Sequence, residues 1–109
     1  MDLSKQSTPT QLYSEDELNT AFNAVKENCA DQELFIINLW FDDKINQERL
    51  SDYCGTELYG MGDAVERGDL IVVLGDVISE DGAYLHKWEF TLIRDGRENN
   101  WAVVNQGYH

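Results

Sequence analysis

Apolar and polar positions alternate most regularly in the last third of the chain. The segment Ala83 to Ile93 reads AYLHKWEFTLI and is bounded by Asp81-Gly82 before it and Asp95-Gly96 after it. Asp-Gly between alternating runs is a strong hairpin signal, because a two-residue type I′ turn needs positive φ at both positions. The segment is therefore expected to pair on both flanks, as the middle strand of an antiparallel meander running from Leu70 to about Gln106. Two-residue turns place Ile71 opposite Leu92, Val73 opposite Phe90, Gly75 opposite Trp88 and Val77 opposite His86. On the other flank they place Trp101 opposite Phe90, Val103 opposite Trp88 and Asn105 opposite His86. One face then collects Ile71, Val73, Val77, Trp88, Phe90, Leu92, Trp101 and Val103, as a period of two requires. The other face carries Asp76 opposite Lys87, a pair of opposite charge, with Glu89 and Thr91. Gly75, inside a β-branched strand, is expected to make room for the Trp88 indole.

Upstream, Ser14 followed by Glu17 forms a capping box, with Tyr13 and Leu18 at the positions of a hydrophobic staple. Leu18, Ala21, Phe22, Val25 and Cys29 continue as one stripe at helical spacing, which predicts a helix to about Ala30 lying across the sheet. Glu33 to Asp42, ELFIINLWFD, predicts a strand with Phe35, Ile37, Leu39 and Phe41 on one face. Leu34, Ile36, Asn38 and Trp40 occupy the other, so both faces are apolar; such a strand suits a central place in the sheet or a contact surface. Asn46 to Cys54 predicts a short helix with Ile45, Leu50 and Tyr53 inward and Gly55 as its stop. A single further turn of helix is expected at Asp63 to Arg67. The expected fold is α+β: one amphipathic helix packed on an antiparallel sheet of about four strands, with an irregular acidic crossover before the meander. Residues 1–12 read as an N-terminal arm and 13–109 as one domain.

Charge changes the picture more than size does. The chain has 109 residues, with 21 acidic and 8 basic ones, a formal net charge of -13. Such a balance disfavours nucleic acid and anionic lipid as partners and favours basic ones. No apolar leader or membrane-length run is present, so a reducing cytoplasmic setting is expected, with Cys29 and Cys54 as thiols. Gly60-Met61-Gly62 lacks the strand and helix that a phosphate loop needs. His86 and the two cysteines fit no metal spacing, and Asp42, Asp43, Asp63 and Asp69 fit no EF-hand. No cofactor, metal or reaction is expected.

What remains is distributed negative charge on a small rigid domain. Carboxylates at helical and alternate strand spacing can occupy a basic groove built for a nucleic-acid backbone. This points to a non-enzymatic inhibitor of a nuclease or DNA-binding complex, of the kind found in phage anti-defence (anti-CRISPR or anti-restriction) and toxin immunity. Acidity that serves solubility alone is the competing reading, and a homodimer is left open. The expected contact set is Glu15, Asp16 and Glu17 at the helix start. It continues through Asp42, Asp43, Glu48, Asp52, Glu57, Asp63 and Glu66 in the crossover, with Trp40, Tyr53 and Tyr59 as aromatic anchors among the carboxylates. A second class of function comes from KWEFTLIRDGRENNWAVV, which resembles the final strands of cystatin-like and nuclear-transport-factor-like domains. That resemblance implies a small ligand between helix and sheet, with His86 or Tyr84 at the mouth of the pocket.

Overall fold

The computed structural model describes residues 13–54, 68–94 and 100–107. In chain order the elements are α1 (Glu15–Asp31), β1 (Phe35–Trp40), α2 (Asp43–Tyr53), β2 (Leu70–Ile78), β3 (Tyr84–Ile93) and β4 (Ala102–Gly107). The four strands form one antiparallel sheet in the order β1-β2-β3-β4, and the class is α+β. The N-terminal arm, the stop at Gly55, the helical turn at 63–67 and the Asp95-Gly96 turn lie outside the described residues.

Helix α1 begins where the capping box places it. The Ser14 hydroxyl accepts from the Glu17 amide, and the Glu17 carboxylate accepts from the Ser14 amide at 2.8 Å. Its end has no glycine to announce it. Glu33 takes the left-handed conformation (φ 58°), the Glu33 amide donates to the Ala30 carbonyl and the Leu34 amide to the Cys29 carbonyl. These bonds form a Schellman motif with glutamate in glycine's place. The stripe Ala21, Phe22, Val25 and Cys29 is buried against the sheet.

The first core lies between α1 and one sheet face. It holds Leu39 and Phe41 from the β1 segment, Ile71, Val73 and Val77 from β2, Phe90 and Leu92 from β3, and Trp101, with Trp88 and Val103 packed at its margin. All eight residues of the expected face are there, although the registers differ from the expected ones. Between β2 and β3 the outer pairing is Val77 with Leu85 and Ile78 with Tyr84, while Gly75 with Trp88 and Val73 with Phe90 are as expected. The turn is a three-residue one, with Gly82 at φ 90° and its amide donating to the Ser79 carbonyl. A bulge at Lys87 (φ 55°) then takes up the extra residue and restores the register. Between β3 and β4, Leu92 pairs with Val103 and Phe90 with Gln106 instead of Trp101. The outermost described pair is Ile93 with Ala102, and the even slip at Leu92 keeps Val103 on the core face.

Three local expectations need correction. Strand β1 is an edge strand, not a central one, and Ile37 is bulged between Ile36 (opposite Val77) and Asn38 (opposite Asp76). The bulge exchanges the faces, so Leu34 and Ile36 pack inward before it and Leu39 after it. That accounts for a strand that reads as apolar on both sides. The nearest neighbours for which Gly75 makes room are β1 and Phe90 rather than the Trp88 indole. A Cβ there would sit 2.9 Å from Leu39 Cδ2, 3.2 Å from the Asn38 carbonyl oxygen and 3.3 Å from Phe90 Cε2.

A second, smaller core lies on the other sheet face, where α2 brings Leu50 against Leu70, Val72 and Ile93, with Tyr53, Cys54 and Val104 at its edge. Helix α2 starts three residues earlier than expected. Asp42 is its N-cap, and its carboxylate accepts from the amides of Lys44 at 3.0 Å and Ile45 at 3.3 Å.

Candidate functional site

The two helix starts meet at one end of the sheet. The Tyr13 hydroxyl donates to the Leu70 carbonyl and accepts from Asn46 Nδ2 at 3.0 Å, while Asn46 Oδ1 accepts the Val72 amide at 2.9 Å. Strand β1 ends at Trp40 opposite Leu74, so β2 runs on beyond its neighbour there and α2 supplies the missing acceptor. The Tyr13 ring lies edge-on to Phe41 at 5.7 Å and to Trp101 at 6.1 Å. A buried asparagine thus joins α1, α2 and β2, and no apolar periodicity could have signalled it.

At the same end, the buried Arg94 guanidinium is held by three residues. Its Nη2 donates to the Glu17 carboxylate and, at 2.7 Å, to the Gly68 carbonyl, while Nε lies 3.6 Å from Asp69 Oδ1. The guanidinium also sits 4.2 Å from the centre of a Trp101 ring. Arg49 forms a two-pronged pair with Glu89, both bonds 2.9 Å, with most of each side chain buried. Both arginines among the described residues therefore serve internal carboxylates.

The expected contact set divides on this frame. Glu15 and Asp16 are exposed at the start of α1, and Glu48 and Asp52 are exposed one turn apart on the outer face of α2. Among the described residues, Glu15, Asp16 and Asp52 form no ion pair, and Glu48 has only a 3.9 Å approach to Arg49. Lys44 shares the outer face of α2. Glu17 and Asp42 are structural instead, one bound to Ser14 and Arg94, the other capping α2. Asp43 is half-buried in the first turn of α2. Trp40 is half-buried rather than exposed, and Tyr53 packs against the second core. Glu57, Tyr59, Asp63 and Glu66 lie outside the described residues.

The far end of the same sheet face carries a different arrangement. Asp76 is buried, and Oδ1 accepts from His86 Nδ1 at 2.6 Å and from the Lys87 backbone amide at 3.2 Å. Asn38 Nδ2 approaches Oδ2 at 3.4 Å. The expected Asp76–Lys87 ion pair is thus replaced by an amide contact, because the bulge turns the Lys87 N–H toward the carboxylate. Glu89, also expected beside Lys87, belongs to Arg49. Burial raises the Asp76 carboxyl, but the Lys87 amide, His86 and Asn38 outweigh it and hold it below the usual carboxylate range. A carboxylate can only accept, so His86 carries its proton on Nδ1.

His86 stacks on Tyr84, the rings 6.2 Å apart at 15°. Strand alternation puts both on the sheet face away from α1, so neither can stand at the mouth of a pocket between α1 and the sheet. Two shallow grooves do run between α1 and the β4 side, of about 210 and 250 Å³, lined by Asn100 and Trp101 in one and by Val103 to Gln106 in the other. Neither is lined by His86 or Tyr84. Among the described residues no three His, Cys, Asp or Glu side chains gather as a metal centre needs, and no helix is long and apolar enough to cross a membrane. Comparison with known proteins finds no matching family model, no matching curated relative and no matching solved structure.

Proposed function

We propose that the protein is a non-enzymatic acidic inhibitor that occupies the basic nucleic-acid-binding surface of a nuclease or DNA-binding complex, as phage anti-defence and toxin-immunity proteins do. The observation that carries this reading is the frame at the two helix starts. Tyr13 and Asn46 lock α1 to α2, so Glu15, Asp16, Glu48 and Asp52 project from fixed backbone while both described arginines are turned inward. Preorganised carboxylates lose little entropy on meeting a basic groove, and they steer the encounter from a distance. The same charge that repels a nucleic-acid backbone suits the surface that binds one.

Competition with duplex DNA tests this directly. A panel of nucleases and DNA-binding complexes is challenged with the protein in competition with duplex DNA, at low and then at higher salt. One-to-one displacement of DNA that weakens with salt is expected from at least one target. Single charge reversals then locate the surface: Asp16→Lys and Asp52→Lys should slow association several-fold, whereas Glu27→Lys on the outer face of α1 should have a smaller effect. Equal losses from all three would mean a diffuse field. Absence of displacement from every target at low salt would leave the acidity to solubility and end the proposal.

A further inference from the structure

The exposed large hydrophobic side chains among the described residues are Phe35, at 69%, Tyr84, at 56%, and Ile37, at 38%. They are not scattered. Phe35 pairs with Ile78 across one ladder and Ile78 with Tyr84 across the next, which makes a continuous row over β1, β2 and β3. The His86 ring extends that row by stacking on Tyr84, and Asp76 fixes its orientation from below. The Ile37 bulge adds a further apolar side chain on β1. Helix α2 covers the sheet at the Leu70–Val72 end and leaves this end open. Single exposed apolar residues need no explanation, but a contiguous set spanning three strands marks a contact surface.

The surroundings say what kind of partner it suits. Glu33 stands two residues before Phe35, and Glu80 and Asp81 lie in the turn that joins Ile78 to Tyr84; all three are exposed. The carboxyl end of α1, which has no basic residue in its last turn, adds the negative pole of its dipole and Asp31. Lys87 is the cation beside this set on β3. The non-glycine residues at positive φ among those described, Glu33 and Lys87, flank the patch, where glycine would be less strained. With a chain charge of -13, a second copy would bring like charge against like.

We infer that the Phe35–Ile78–Tyr84–His86 row is a docking surface for a basic protein segment that carries an apolar side chain, the apolar group seated on the row and its cations on Glu33, Glu80 and Asp81. It lies at the opposite end of the sheet from Glu15 and Asp16 at the start of α1. It rests on the proposed function only in taking the partner to be basic. Desolvated aromatics supply the slow dissociation that rim carboxylates cannot.

The test uses three synthetic peptides with the full chain, followed by backbone amide chemical shifts: one alternating Arg and Leu, one alternating Arg and Ser, one alternating Glu and Leu. The Arg/Leu peptide is expected to bind tightest and to shift residues 35–37, 78 and 84–86. Phe35→Ser or Tyr84→Ser should weaken it about tenfold, the loss of one interface anchor. Either variant serves if the other fails to fold. Equal binding of Arg/Ser, with shifts at Glu15, Asp16, Glu48 and Asp52, would overturn the docking surface and leave the exposed carboxylates of α1 and α2 standing. Equal binding of Glu/Leu would show that the charge around the row selects nothing, which also overturns it. Self-association in sedimentation that Phe35→Ser abolishes would make the occupant a second copy. If neither basic peptide binds even at low salt, the basic-partner reading falls with it.

Discussion

The two faces of the sheet are held by different physics. Toward α1, every inward side chain of β2 and β3 is apolar or glycine, and the core closes by shape alone around Phe90, Leu39 and Phe41. Toward α2, the small apolar cluster is interleaved with buried polar groups: Asn46 on the Val72 amide, Arg49 on Glu89, Asp76 on His86 and Lys87. An apolar face is tolerant of register and intolerant of lost volume. A polar face is the reverse, because each group needs its own partner and is costly without it. The open end of the sheet, with its exposed aromatics, lies on this second face.

Adjacent residues of β3 allow the largest contrast to be measured. Phe90→Ala should cost about 3–5 kcal/mol, as cavity and lost transfer energy combine in a core with no slack. Glu89→Ala, one residue away on the other face, should cost about 3 kcal/mol by leaving the Arg49 guanidinium buried without its carboxylate. Chemical denaturation of both variants gives the numbers. The double replacement Arg49→Met with Glu89→Met separates the two faces. It should recover most of the Glu89→Ala loss, since a pair replaced by apolar volume is close to neutral. Failure to recover would mean that the Arg49–Glu89 pair contributes net stability, and that the contrast between the faces is smaller than drawn.

That contrast also explains what could be read from the chain. The α1 face was legible because period-two alternation survives errors of register. At the β2–β3 hairpin a longer turn and the Lys87 bulge cancel from Trp88 onward, and at β3–β4 the slip at Leu92 is even, so the eight apolar residues keep their side. Beyond each bulge, Leu85 takes the place of His86 and Gln106 that of Asn105. The α2 face was not legible. Asn46, Arg49 and Asp76 find partners 26, 40 and 10 residues away, and no local pattern announces such pairings. The bulge at Ile37 likewise turned an edge strand into one that reads as central. Among the site candidates, the capping box that places α1 already commits the Glu17 carboxylate, and Asp42 is claimed in the same way by α2. Glu15, Asp16, Glu48 and Asp52 are exposed because no cap or core claims them. The Phe35–Tyr84 row was missed because it exists only once three strands are in register.

A pH titration sharpens the polar side of the comparison. The Asp76 carboxyl is held below its unfolded value, about 3.9 for aspartate. Its contribution is therefore complete above that value and is lost as the pH falls through the lower folded one. Relief of the chain's negative charge in acid acts in the opposite direction, so the informative quantity is a difference. Asp76→Asn can keep an oxygen on the Lys87 amide, but it turns a donor toward Asn38 Nδ2 and removes the charge facing His86, and should cost about 1–3 kcal/mol near neutral pH. That gap between wild type and variant should stay constant above about pH 5 and narrow below about pH 4. A gap that does not change with pH would mean that shape, and not the carboxylate's charge, matters at this position.

The smallest effect sets the two cysteines against each other. Cys29 lies in the α1 core, 1% exposed, and burial pushes its thiol up to about 11, because a thiolate there would lose its hydration. Cys54 caps α2 at the margin of the second core and is half-buried. Alkylation needs the thiolate and an approach path. At pH 8 and without denaturant, Cys54 should be modified first, and Cys29 only at the rate at which the core opens. Raising the pH through the unfolded thiol value of 9.0 toward 11 ionises Cys29 in the unfolded chain before the folded one, so its contribution to stability falls across that interval. Cys29→Ala should remove this alkaline dependence, and Cys54→Ala should leave it in place. Rapid modification of both thiols at pH 8 would show that α1 opens readily from the sheet, and the division between a closed face and an adaptable one would have to be redrawn.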